Sequence, residues 1–215
     1  MSDLSIVQAH QFDDIEQQHD ASWIGMWVFL GTEVMFFGGM FTGYTLYRNA
    51  YPQAFASASN HLDIWLGTIN TAVLICSSFT MALAVRSAQL GERKPIINFL
   101  LLTILLGAVF LGIKFTEYYF KFEEHLVPGA AFNYEASLAR PAEIFFSFYF
   151  AMTGMHALHM IIGIGLLTVL IIKARRGRFS AVYHTPVELV GLYWHFVDIV
   201  WIFLFPLLYL VGRHL

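Results

Sequence analysis

Residues 143–172 read EIFFSFYFAMTGMHALHMIIGIGLLTVLII, and from Ile144 to Ile172 no Asp, Glu, Lys or Arg interrupts them. Crossing ~30 Å of bilayer hydrocarbon takes a helix of ~20 apolar residues at ~1.5 Å each. This run is long enough to span a membrane. Four more stretches meet the same requirement, 23–47, 62–86, 96–119 and 188–211, and with the first they are spread over nearly the whole chain. Composition points the same way. Of all residues 58% are hydrophobic and 17% aromatic, while only 13% are charged, against ~25% in a soluble domain. A soluble enzyme, a disordered chain, a coiled coil and a collagen-like fibre are thereby excluded. The longest connection, 120–142, carries Pro128, Gly129 and Pro141 as turn punctuation, and no linker, repeat or low-complexity segment divides the chain. The predicted fold is all-α. It is an integral membrane bundle of five transmembrane helices, one domain over 23–215, preceded by an acidic tail over 1–22.

That tail holds Asp3, Asp13, Asp14, Glu16 and Asp20, and no Lys or Arg occurs before Arg48, so it lacks the basic start of a signal peptide. With five spans the two ends lie on opposite sides, and the connections sort into two sets whose positive charge can be compared. The set on the N-terminal side carries Arg86, Arg93, Lys94, Lys173, Arg175, Arg176 and Arg178; the other carries Arg48, Lys121, Arg140 and Arg213. This bias predicts a cytoplasmic N-terminus and an outside C-terminus. Trp23, Tyr47, Tyr119 and Tyr209 fall where an interfacial aromatic belt would sit. A net charge of -3 offers no basic surface for nucleic acid. The single cysteine, Cys76, lies in an apolar run, so neither an intrachain disulfide nor a thiolate metal cluster can form.

The informative residues are the polar ones inside the spans, since an ionisable group near the bilayer centre is costly unless paired, neutralised or turned toward protein. Glu33, in GTEVMFFGG (31–39), lies about 16 Å into the first span counted from Ser22. It reads either as a proton-accessible carboxylate in contact with lipid or a partner, or as an interhelical hydrogen-bonding group; the neutral acid is the expected form unless something compensates. In the fourth span Tyr149, Thr153, His156 and Gly163 share a side with His159 beside them, a packing seam. In the fifth, His195 and Asp198 are three apart and share a face, where a hydrogen-bonded couple would keep both in lipid. His156, His159 and His195 lack the matched ligands of a metal or b-type haem site and read as hydrogen-bonding histidines, so no metal is expected. Lys114 and Glu117, three apart near the outer end of the third span, read as an ion pair with Lys114 snorkelling outward. Gly67, Asn70, Thr71, Ser77 and Ser78 of the second span are the small and hydroxyl residues of helix packing. No nucleophile–base set, phosphate loop or nucleotide motif occurs, and catalysis by this chain alone is not expected.

GTEVMFF (31–37), FTEY (115–118), AMTGMHALHMIIG (151–163) and HTPVE (184–188) leading into YWHFVDIVW (193–201) together resemble subunit III of the haem–copper respiratory oxidases, the cytochrome c oxidase subunit III family in its five-helix bacterial form. The match runs in order and spacing from about residue 23 to 211. The resemblance implies a subunit without haem or copper of its own, the haem a and copper belonging to partner subunits. It implies packing on subunit I, contact with subunit II and other membrane subunits, bound phospholipid, support of proton uptake, and possible membership of a respiratory supercomplex in a bacterial plasma membrane. Glu33 corresponds to the family's carbodiimide-reactive carboxylate. His184 and Glu188 match a pair at the mouth of the last helix, expected to hydrogen-bond to the fourth span, and His156, His159, Trp194, His195 and Asp198 match structural positions. Longer members have seven spans, and this chain begins at what would be their third, so the lipid cleft of those members does not carry over as built. Related third subunits of quinol oxidases and an accessory protein of nitric oxide reductases are alternatives. So, from other classes, are a small proton-coupled transporter with Glu33, His195 and Asp198 as a relay, and a b-haem anchor using His159 and His195.

Overall fold

The computed structural model describes residues 11–210. Asp3 of the acidic tail, Val211 of the last predicted span and Arg213 lie outside the described residues. Six helices follow one another, α1 (Ile15–Ala50), α2 (Pro52–Ser59), α3 (Ile64–Gln89), α4 (Arg93–Glu123), α5 (Ala139–Arg175) and α6 (Thr185–Tyr209). All but α2 are long and apolar enough to cross a membrane, and no strand occurs among the described residues. The five-span all-α bundle read from the sequence is the fold observed.

The ends of the helices explain why they run past the apolar stretches. Asp14 caps α1 by accepting from the Gln17 N–H at 2.6 Å, and the Gln17 side chain accepts from the Asp13 N–H at 2.8 Å. That polar exchange starts the helix at Ile15, so the second half of the predicted tail is helical. Asp63 caps α3 in the same manner through Trp65 and Leu66. On the N-terminal side, α3 and α5 each stop at a glycine in the left-handed region, Gly91 (φ 72) and Gly177 (φ 70). The Glu92 N–H returns to Ser87 O and the Arg178 N–H to Lys173 O, closing otherwise unpaired carbonyls. The short helix α2 was not foreseen. Pro52 starts it, and Ala54, Phe55 and Ala58 are buried as it closes, against α5, the end of the bundle at which α1 ends. There Ser59 and Tyr44 donate to the carbonyls of Leu208 and Leu207 at 2.8 Å each, satisfying the last turn of α6.

Helices α3, α4, α5 and α6 pack in a closed ring, each against the next, while α1 lies outside it on α5 and α6. Burial separates the two classes: 44% of the apolar windows of α5 and α6 is buried, against 11% of that of α1. Small residues allow the close approach. The Trp194 ring of α6 fills the space beside Gly107 and Gly163, where a Cβ would sit 2.9 and 2.8 Å from it. Trp194 and Trp201 then tie α6 to α3 by donating to Ser77 and Thr71, both at 3.1 Å.

Candidate functional site: ionisable groups inside the bundle

At the seam of α1 and α5, Glu33 Oε2 lies 3.2 Å from His159 Nε2. The other ring nitrogen, Nδ1, is 2.9 Å from the Met155 carbonyl, which can only accept, so Nδ1 carries a hydrogen. A hydrogen bond across the contact needs one further proton, on Glu33 facing a neutral imidazole or on His159 facing a carboxylate. Phe37 stacks beside His159 with centroids 5.5 Å apart, and the Tyr193 hydroxyl donates to the His159 carbonyl at 2.9 Å. The Glu33 side chain retains 18% exposure. Sequence reading singled out both residues but could not join them, because they lie on helices far apart in the chain.

A second centre sits in the ring itself. Lys114 is 2% exposed, and its ammonium donates to Glu117 Oε2 at 2.9 Å, Tyr209 Oη at 2.9 Å and Tyr149 Oη at 3.2 Å, using all three hydrogens. Tyr209 in turn donates to Glu117. The rings of Tyr149 and Trp201 stand 4.8 and 5.2 Å from the ammonium, a cation–π surround that replaces some of the lost hydration. The ion pair is as the sequence suggested. The snorkelling of Lys114 is not, because the hydroxyls of α5 and α6 supply inside the bundle the acceptors that a snorkelling lysine seeks at the interface. Tyr209 likewise leaves the expected aromatic belt: it is fully buried, whereas Tyr47 and Tyr119 are exposed.

The expected His195–Asp198 hydrogen bond is absent. His195 Nδ1 instead meets Ser78 Oγ of α3 at 2.7 Å, and neither carboxyl oxygen of Asp198, itself 3% exposed, has a hydrogen bond within 3.5 Å, although the Ser78 hydroxyl stands near it. Ser78 of the facing helix α3 takes the imidazole that the spacing had assigned to Asp198. His184 and Glu188 do pair, Nε2 to Oε1 at 3.2 Å, but the hydrogen bond that anchors them comes from Gln89 Nε2 at 2.9 Å. It therefore ties α6 to the second span rather than, as expected, to the fourth. His156, 1% exposed, sits between the rings of Phe110 and Trp201 at 5.3 and 5.2 Å, with neither nitrogen hydrogen-bonded. Among the described residues no three His, Cys, Asp or Glu side chains are grouped so as to hold a metal ion. His159 and His195, the two that a haem anchor would use, are turned to Glu33 and Ser78.

Comparison with known proteins bears on these centres. The family described as cytochrome c oxidase subunit III matches residues 16–213. The cytochrome c oxidase subunit 3 of Thermostichus vulcanus is 34% identical over 211 residues, covering 98% of this chain and 94% of that one. The quinol oxidase subunit 3 of Bacillus subtilis (strain 168) is 31% identical over 189 residues, 88% and 86% of the two chains. The cytochrome c oxidase subunit 3 of Gallus gallus is 34% identical over 196 residues, 87% of this chain and 69% of that one. The match takes in all five spans and every polar centre described above, and the chain belongs to the cytochrome c oxidase subunit III family, as a multi-pass membrane subunit of a haem–copper oxidase of the cytochrome c or quinol type.

Proposed function

We propose that the chain is the non-catalytic third subunit of a proton-pumping aa3- or caa3-type cytochrome c oxidase in a bacterial plasma membrane, with its N-terminus cytoplasmic and its C-terminus outside. It packs on subunit I, neighbours subunit II and other membrane subunits, holds phospholipid and supports proton uptake; haem a and copper stay in the partners. The observation that carries this reading is the Glu33–His159 contact of 3.2 Å. A carboxyl and an imidazole that share one proton are together neutral whichever of them carries it, so the pair can hold that proton or pass it from one side to the other without an unpaired charge in hydrocarbon. The outward face of α1 supports a subunit role, since Trp27, Val28, Val34 and Met35 are exposed there and open space surrounds Gly25, Gly31, Gly38 and Gly39.

The test replaces Glu33 by Gln in the complete complex expressed at native level. Intact assembly with fewer turnovers before inactivation, or with less phospholipid retained, is expected. Failure to assemble would instead make Glu33 a structural hydrogen-bonding group, and unaltered turnover and lipid content would remove the proposed role. Similarity to the Bacillus subtilis quinol oxidase subunit 3 at 31% identity favours a second reading, a quinol-oxidising complex. Assay of the purified complex with reduced cytochrome c and with a quinol decides between the two.

A further inference from the structure

Ser78, His195 and Asp198 have no part in the proposed function, yet they converge. They line a recess of about 400 Å³ between α3 and α6, walled by Ile75, Phe79, Ile199 and Ile202. This is the size range of small-molecule sites, and a few polar groups at the base of an apolar recess is their usual make-up. Asp198 is the fourteenth of the 25 residues of α6, so the floor lies near mid-span, about 15 Å from either headgroup region of a ~30 Å hydrocarbon layer. A phospholipid headgroup does not reach it, and a charged ligand would bear the cost of desolvation. Ile75, Phe79, Ile199 and Ile202, 55%, 65%, 50% and 46% exposed, stand on the two sides and give the recess its apolar walls.

What remains is the demand of the floor itself. Both Asp198 oxygens are buried and neither has a hydrogen bond within 3.5 Å, because the Ser78 hydroxyl that stands near them is held by His195 at 2.7 Å; that is costly unless another group supplies a hydrogen bond. A hydroxyl both donates and accepts, so it serves an imidazole and a carboxyl group in whichever protonation state they hold. We propose that the recess binds an uncharged, hydroxyl-bearing apolar molecule dissolved in the bilayer, its hydroxyl on the Ser78–His195–Asp198 floor and its hydrocarbon between Phe79 and Ile202. A long-chain alcohol and an alkylated hydroquinone share this chemistry.

The experiment uses the intact complex in lipid nanodiscs and a twelve-carbon alcohol carrying a photoactivatable diazirine. After irradiation, adducts are expected on the segments containing Phe79 and Ile202, displaced by 1-dodecanol and not by dodecane. Stronger displacement by decylhydroquinone would identify the ligand as an aromatic diol, and weaker displacement as an aliphatic alcohol. Asp198→Ala is expected to cut labelling about tenfold, the scale of one lost hydrogen bond. Asp198→Asn, which keeps hydrogen-bonding capacity, retains most of it. Should Asp198→Ala not assemble, Ile202→Trp fills the recess while leaving the floor unchanged, and must abolish the adducts. Equal displacement by dodecane, or adducts no denser here than at Ile161 and Val169, exposed on α5, would overturn the proposal. So would labelling that emerges only once the chain is detached from its complex, which would show a partner helix in the recess.

Discussion

Lys114 and Tyr209, 95 residues apart, meet at 2.9 Å in the interior of the bundle, and both bind Glu117. One ammonium thus joins α4, α6 and, through Tyr149, α5. A buried ion pair is held less by its own attraction than by the cost of leaving either charge alone. Lys114→Met is therefore expected to destabilise the chain by about 3–5 kcal/mol, and Lys114→Met with Glu117→Leu by much less than the single change. Tyr209→Phe, which removes a donor and an acceptor from the same cluster, should cost about 1–3 kcal/mol. Reversible unfolding in mixed detergent measures all three, and a double variant as unstable as Lys114→Met would contradict the account.

The contrast between two glycines tests the packing. Gly163 faces Trp194, whose ring would lie 2.8 Å from an added Cβ, whereas nothing lies within 4 Å of one at Gly38 on the outer face of α1. Gly163→Ala should cost about 1–3 kcal/mol through overpacking. Gly38→Ala should leave the stability of the isolated chain unchanged or slightly raised, since alanine is the better helix former. If Gly38→Ala nevertheless impairs assembly of the complete oxidase, that face meets a partner. Thermal unfolding of the isolated chain and blue native gels of the complex supply the two readings.

Much of this fold was legible because the membrane imposes a simple length rule, and all five spans follow from it. What the rule missed has physical causes. Helix α2 is too short and only partly apolar for hydropathy to separate it from a loop in the 48–61 connection, and Pro52, which starts it, also serves as turn punctuation. The true start of α1 depends on the Asp14 cap, which hydropathy does not register. Among the polar groups, pairs three or four apart in sequence were visible as pairs, and Lys114–Glu117 and His184–Glu188 form. His195 and Asp198 obeyed the same spacing and yet part, because Ser78 of α3 competes for the imidazole. Contacts between distant helices, Glu33 with His159 above all, carry no local spacing at all. Family resemblance located those residues without supplying their geometry.

Orientation across the membrane rests on the distribution of positive charge and is open to direct test. Ser137, in the α4–α5 connection, and Ser180, in the α5–α6 connection, are both exposed, at opposite ends of the bundle. In a Cys76→Ala background, Ser137→Cys should react with a membrane-impermeant maleimide added to whole cells or spheroplasts. Ser180→Cys should react only after the membrane is broken. The reverse pattern would invert the topology.

The Glu33–His159 contact leads to a sharper expectation about reactivity. A carbodiimide adds to a carboxylic acid with consumption of its proton, so a hydrophobic carbodiimide in the bilayer reports how often Glu33 is a neutral acid. In the wild-type chain His159 Nε2 stands 3.2 Å away and competes for that proton, whereas in His159→Leu no base remains within reach and hydrocarbon favours the neutral acid. Labelling of Glu33, followed by mass spectrometry of its peptide, should therefore be faster in His159→Leu than in wild type. Glu33→Gln in either background should abolish the adduct. Phe37→Leu serves as the control for loosened packing, because Phe37 touches the His159 ring but accepts no proton; acceleration there equal to that in His159→Leu would mean that access rather than protonation sets the rate. Slower labelling in His159→Leu would mean that the imidazole delivers the proton instead of withdrawing it, and the sign assigned to the pair would have to be reversed.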